Sequence, residues 1–332
     1  MKNKTAVRRR TVSKTVHPAV INKLSPIKTR IKVIGIGGGG CNVVTRMMKC
    51  SIRGIELIAV NTDLQSLNKA NANLKLQIGK EATRGLGSGM DPEIGRLSAE
   101  ESKEEIAAAL QGSDMTFIAY GAGGGTGTGA GPVVAEIAKS SGALTIAVVT
   151  RPFSFEGKQR NLLAQAGIEK LKEKVDALIT ISNDKLFSTL EPDVSLVSAF
   201  WACDEILRQA VQGLSDLIIL PGIINIDFAD VKTIMKNSGT ALFGIGTARG
   251  EKRAEKAATL AINSPLLDES CKGAKGVLFN VSGQDVSLSE INEVAKIITQ
   301  EITPETRVIF GAIQNEKLNK GEIKVTIIAT GF

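Results

Sequence analysis

The sequence predicts an α/β fold built on a parallel sheet with helices on both faces, and three observations carry that expectation. Apolar, largely β-branched segments alternate with stretches of helical periodicity. Two of those segments run directly into glycine clusters. The chain is also long enough, at 332 residues with 43% hydrophobic content, to bury the core of one or two domains. Strands buried on both faces read as continuous apolar runs, and sheets of this kind hold ligands at the carboxyl ends of their strands.

Order is expected from Ile31. Residues 1–30 carry nine Lys or Arg and no Asp or Glu, which reads as a disordered basic arm. The rest of the chain has 32 basic residues against 34 acidic ones and is close to neutral. A solvated tail is the simplest account of the arm. The same charge suits an anionic membrane surface or a nucleic acid, and an organellar transit peptide shares the composition. In the body, IKVIGI is the first strand, GGGG the turn after it and VVTRMMKC the helix that follows. IELIAVNTD is a second strand. DMTFIAY is the next and enters GAGGGTGTGAG, where seven of eleven residues are glycine and a helix is expected from about Pro132. ALTIAVVT and DALITISND are further buried strands.

No apolar run reaches the roughly 18 residues of a membrane-span candidate, and the amino terminus lacks the apolar centre of a secretory signal, so a cytoplasmic protein is expected. Cys41, Cys50, Cys203 and Cys271 show neither CxxC nor ligand spacing, which predicts free thiols and no protein-held metal. The one histidine, His17, falls in the arm, so carboxylates or water must carry any catalysis.

A glycine loop between a strand and a helix lets backbone N–H groups approach phosphate oxygens, while the helix amino terminus adds a favourable dipole. Two such loops can hold one polyphosphate. Taken alone, Gly35-Ile-Gly37-Gly-Gly-Gly40 fits GxGxxG. It admits a dinucleotide-dependent oxidoreductase with Asp63 as the ribose acid, or a plain tight turn. No G-x-x-x-x-G-K-[ST] is present, so backbone, threonines and metal must hold phosphate without a P-loop lysine.

The string GGGTGTG, residues 123–129, resembles the signature of the tubulin/FtsZ GTPase superfamily. GGGGCN, VNTD, TRGLGSG, PFSFEGKQR, ISNDKL, AVQGLSDLI and NIDFADVKTIM resemble it too, in the family's order, from about Ile31 to Gly331. They point to the branch that acts in bacterial cell division. The resemblance implies a Rossmann-like GTP-binding domain (31–195), a long central helix (196–221) and a smaller α+β carboxyl-terminal domain (222–332) with a catalytic loop. VSLVSAFWACDEILRQAVQGLSDLII, a long helical stretch with an apolar face, agrees with this. Implied as well are head-to-tail filaments, hydrolysis of GTP to GDP and phosphate at the subunit interface, and Mg2+ or a monovalent cation held through nucleotide and water. A filament scaffold with little hydrolysis is the alternative.

By the same resemblance, Gly38, Gly39, Gly40, Cys41 and Asn42 form the first nucleotide loop. Gly87, Ser88 and Gly89 form the loop that senses the γ-phosphate. Gly125, Thr126, Gly127 and Thr128 form the phosphate cradle, where hydroxyls add donors between glycines. Glu156 and Arg160 resemble the pair near ribose and phosphate, although by spacing alone they are an i,i+4 ion pair. Guanine presents N1–H and 2-amino donors side by side, so an acid and an amide are expected. Glu205 takes the first role, where the family commonly carries Asp, and the adjacent Asp204 leaves the register open. Asn183 takes the second, and by spacing alone it is a helix cap. Phe200 would stack on the base. Asn225, Asp227 and Asp230 resemble the loop that reaches the next subunit's nucleotide; read alone, the two acids are an N-cap and a first-turn carboxylate. The family extends through a linker to a peptide that binds membrane-anchoring partners of the division ring. Here the sequence stops at TIIATGF: either it is trimmed there, or the membrane is reached differently, with the basic arm as one candidate substitute.

Overall fold

The computed structural model describes residues 29–50, 52, 54–187, 193–220, 222–264 and 271–332. His17 and the arm up to residue 28 lie outside the described residues. Strand and helix alternate through β1 (Ile31–Ile36), α1 (Gly37–Lys49), β2 (Ile55–Asn61), α2 (Leu64–Lys69), β3 (Leu74–Gln77), α3 (Lys80–Thr83), α4 (Pro92–Glu101) and α5 (Lys103–Leu110). They continue through β4 (Met115–Gly121), α6 (Gly125–Ser140), β5 (Leu144–Arg151), α7 (Lys158–Lys172), β6 (Ala177–Ser182) and α8 (Asn183–Phe187). The long α9 (Leu196–Ile219) then leads through α10 (Phe228–Met235) to β7 (Gly239–Arg249), α11 (Arg253–Ile262), β8 (Gly276–Gly283), α12 (Leu288–Gln300), β9 (Arg307–Gln314) and β10 (Glu322–Thr330).

Among the described residues one sheet takes up every strand, in the order β3-β2-β1-β4-β5-β6-β7-β10-β8-β9. All pairings from β3 to β7 are parallel. β10 runs antiparallel to both its neighbours, and β9 is parallel to β8. β2 lies to one side of β1 and β4 to the other, so the winding reverses there and a crevice opens at the carboxyl ends of β1 and β4.

β1, β4 and β5 bury nearly every side chain, which is why they read as unbroken apolar runs. α1, α9 and α10 cover one face around Val43, Met47, Leu207, Leu214 and Val231. α4 to α7 cover the other around Ala99, Ile106, Val134 and Ile168. A third apolar cluster joins α11 and α12 to β8 and β10 through Ala257, Val294, Phe279 and Val325.

The helix expected from about Pro132 begins earlier, at Gly125, and Pro132 lies inside it. Its glycines are helical because neighbours leave no room for side chains. A Cβ on Gly129 would lie 1.9 Å from the Pro92 carbonyl oxygen, one on Gly125 2.3 Å from Ser88 Oγ, and one on Gly131 2.5 Å from the Tyr120 ring. Close packing against α4 and Tyr120 thus outweighs the ~1 kcal/mol that each glycine costs a helix. α1 likewise starts inside its glycine run.

Candidate nucleotide site and acid loop

The two glycine junctions follow β1 and β4, the strands that flank the crevice, and they touch. Gly37 turns the chain into α1 at φ +70, and a Cβ there would come within 3.2 Å of the Gly127 nitrogen. Gly123, at φ +92, makes the matching turn into α6. Two helix amino termini, each with unpaired N–H groups and a positive dipole end, therefore converge. Gly38 and Gly124 face open space, with nothing within 4 Å of where a Cβ would stand. Gly40 is backed by Ala119, Gly125 by Ser88 and Gly127 by Tyr120.

Hydroxyls knit this cradle together. Thr126 Oγ1 stands 2.7 Å from Thr62 Oγ1 and 3.0 Å from Ser88 Oγ, and Thr128 Oγ1 accepts from the Gly123 N–H at 2.9 Å. Ser88 is buried between Gly87 and Gly89, both at positive φ, so one hydroxyl fastens the 84–90 segment to α6. Cys41 is buried beneath α1, where burial pushes its thiol up to about 12. It packs and does not react. Asn42 beside it is exposed. Asp63 caps α2 by accepting from the Ser66 N–H and Oγ, which accounts for it structurally.

Glu156 and Arg160 do pair, at 3.1 Å, and the glutamate's side chain is largely enclosed, its other oxygen accepting from the Phe153 N–H at 2.8 Å. Asn183 opens α8, 4% exposed, with its Oδ1 unpartnered among the described residues. The cap there is Ser182, whose Oγ accepts from the Lys185 N–H at 3.4 Å. Phe200 meets Phe153 edge-on, with centroids 5.4 Å apart, and keeps 39% of its surface exposed. One turn further, Asp204 pairs with Arg46 of α1 at 3.2 Å, and Trp201 lies beneath the same guanidinium. Burial pushes the Asp204 carboxyl up to about 6 against the opposing pull of Arg46. Glu205 is turned to Arg208 and Gln209, at 2.8 and 2.9 Å. Burial would raise it, but those bonds hold it below the ordinary carboxylate range.

α9 has 24 residues and spans about 36 Å, and Asn225, Asp227 and Asp230 lie beyond its far end. The cradle and base-side residues of the same chain are at the other. Asp227 occupies the N-cap position of α10 without a side-chain capping bond, and Asp230 sits in the first turn. Both are exposed, and among the described residues neither carboxylate has a partner. Asn225 closes its own turn, its Oδ1 accepting from the Gly222 N–H at 2.6 Å. Sequence reading missed Thr62, Arg46 and Tyr120. Of these, Thr62 stood in the VNTD string. A cavity of about 480 Å³ between α4, α6 and α7, lined by Pro92, Val133 and Leu163, reaches Thr128 at the back of the cradle and includes none of the α1 glycines.

A model of the Tubulin/FtsZ family GTPase domain matches residues 30–191, and one of the FtsZ family C-terminal domain matches residues 239–332. An empty FtsZ dimer from M. jannaschii is 48% identical, with 93% of this chain and 90% of that chain covered and a TM-score of 0.89. A point mutant of M. jannaschii FtsZ is also 48% identical, over 92% and 91% of the two chains, with a TM-score of 0.88. CetZ2 from Haloferax volcanii, solved as a GTPγS-bound protofilament, shares 20% identity over 90% and 92% of the chains at a TM-score of 0.77, a likeness of fold alone. The glycine junctions at the crevice, the two matching family models and 48% identity along nearly the whole chain make this chain a member of the FtsZ family, a tubulin-like GTPase that polymerises with GTP in cell division.

Proposed function

We propose that one copy of the chain holds GTP and that acids of the next copy complete its hydrolysis. Backbone N–H groups of Gly38, Gly39 and Gly40 at the start of α1, and of Gly125, Thr126, Gly127 and Thr128 at the start of α6, take the phosphates, which both helix dipoles favour. Gly87, Ser88 and Gly89 close over the terminal phosphate, and the Ser88–Thr126 bond links its presence to α6. Glu156, Arg160 and Asn42 meet the ribose and inner phosphates. Phe200 covers one face of guanine. The unpartnered acceptor of Asn183 and a carboxylate take the base edge, where one carboxylate accepts N1–H and the 2-amino group together. We assign that carboxylate to Asp204, which lies on the same face of α9 as Phe200, whereas the oxygens of Glu205 are already engaged. No group of His, Cys, Asp or Glu among the described residues has metal-ligand spacing. Mg2+ would arrive on the nucleotide's own phosphates, held by them and by water.

Asp227 and Asp230 supply what the cradle lacks, orienting and polarising the water that attacks the terminal phosphorus. The observation that carries this reading is that both carboxylates are exposed and, among the described residues, unpartnered at the opposite end of α9 from the base site. Head-to-tail contact would set them over the next copy's cradle, and such a heterologous contact builds filaments because it does not close. GTPase activity per molecule, followed against protein concentration, tests the proposal. A steep rise above a threshold is expected. Constant specific activity down to high dilution would put a complete site inside one copy.

The nine positive charges of residues 1–30 extend the proposal to an anionic membrane or nucleic acid, at up to ~1 kcal/mol per basic residue near an anionic surface, which would tether filaments at the division site. Deleting residues 1–30 is expected to leave GTP binding and assembly intact while removing salt-sensitive association with anionic vesicles or nucleic acid. Association that survives the deletion would refute a role for the arm.

A further inference from the structure

The segment that carries the acids is bonded to β9. Ile223 and Ile224 both donate their N–H groups to the Ala312 carbonyl, at 2.7 and 3.2 Å, and the Ala312 N–H donates back to Ile224 at 3.1 Å. Since β9 is the last strand of the sheet, this antiparallel bridge covers its free edge. A Cβ on Gly222 would lie 2.5 Å from the Ala312 carbonyl oxygen, so the approach is as close as backbones allow. Between the exposed Asn225 and Asp227, Ile226 is buried, at 6% exposure. It sits over Gly311. A Cβ on Gly311 would stand 3.0 Å from Ile226 Cδ1 and 3.4 Å from Asn280 Oδ1. Gly311 is not among the residues at positive φ, so it is the space, and not the backbone angle, that calls for glycine.

We propose that Gly311 and Ile226 form a socket and peg that set the height of Asp227 and Asp230 above the next copy's nucleotide. Both are positioning residues acting through the acid loop, and the inference rests on the reading of those acids given above. Ile226 directly precedes the N-cap of α10, and the Asp230 N–H bonds the Asp227 carbonyl at 3.0 Å. A displacement at Ile226 is therefore passed into the first turn. Misplacing a reacting group by about 1 Å can cost on the order of 100-fold in rate.

The test compares Gly311→Ala, Ile226→Val and the double variant in the full chain. Gly311→Ala adds a carbon against Ile226 Cδ1, and Ile226→Val removes that carbon. GTP affinity of the unassembled protein should stay within about twofold in all three, which also reports on folding. Turnover per pelleted subunit should fall at least about fivefold in Gly311→Ala and rise again by at least about twofold in the double variant, which keeps only the 3.2 Å approach to the Ile226 Cγ1 carbon. Unchanged turnover in Gly311→Ala, a double variant no better than it, or loss of GTP binding would each overturn the socket. Asp230→Ala assayed alongside separates the two levels: if it keeps full turnover, the reading of the acids fails, whatever the socket does.

Discussion

Around Gly125, Gly127, Gly129 and Gly131 every Cβ position is filled by another part of the chain, while among the described residues nothing bonds the carboxylates of Asp227 and Asp230. The cradle is built inward, from helices pressed onto α4 and Tyr120 and from hydroxyls bonded to one another. The acid loop is built outward, anchored by a backbone bridge at a sheet edge and one buried side chain. A site meant to work inside one molecule would bury its acids beside its cradle. On the proposed reading, this chain finishes its binding half internally and presents its hydrolytic half to another copy.

The sharpest way to break that comparison is Asp230→Ala, with Asp227→Ala beside it. Turnover should fall by about 100-fold or more, some 2.7 kcal/mol in the barrier, while GTP binds within about threefold of the parent. Calorimetric affinity and phosphate release on the same preparation decide it. A stricter version mixes Asp230→Ala with Gly38→Asp. An acid in the first turn of α1 suits the helix dipole yet repels phosphate, and nothing stands within 4 Å of that Cβ. Hydrolysis in the mixture and in neither variant alone is expected. Silence in copolymers of the two would count against a shared site.

The base end gives the next largest effect. Asp204→Asn should weaken GTP by roughly 10- to 100-fold, the range for a hydrogen bond to a charged group, while Glu205→Gln changes it less than about threefold. The reverse ranking would return the guanine carboxylate to Glu205. The sequence could not choose between these neighbours, because consecutive helical residues differ by a rotation that shows only once α9 is laid against Arg46. The strands up to β6, their parallel sheet and the two loops were legible, since buried parallel strands and glycine junctions write themselves into local composition, whereas their order in the sheet was not. The start of α6 was not, because glycine counts against a helix unless the surfaces of α4 and Tyr120 are known. Nor was the pairing of Ile226 with Gly311, whose partners lie far apart in the chain.

Two glycines of the same site sharpen the contrast at the level of the fold. Gly129→Ala drives a methyl into the Pro92 carbonyl oxygen and should cost about 1–3 kcal/mol of stability. Gly38→Ala meets nothing and should be neutral or up to ~1 kcal/mol stabilising, while weakening GTP by crowding the open side of the cradle. Denaturant unfolding of nucleotide-free protein separates them. Equal stabilities would mean that α4 and α6 are free to move apart.

The smallest effect concerns pH and has two opposite signs. Burial raises Asp204 from its ordinary value to about 6, so in the free protein the group binds its proton more tightly folded than unfolded. Its contribution to stability is full below the unfolded value, near 4, and is lost as pH rises through about 6. Guanine recognition runs the other way, because a protonated carboxyl cannot accept both base donors. GTP affinity should therefore fall by up to about tenfold as pH drops from 7 to 5. The terminal phosphate of GTP titrates in the same window, so the wild-type curve alone decides little. The difference between wild type and Asp204→Asn isolates the carboxylate: the variant should show the shallower slope. Parallel slopes would mean that Asp204 stays with Arg46 and leaves guanine to other groups.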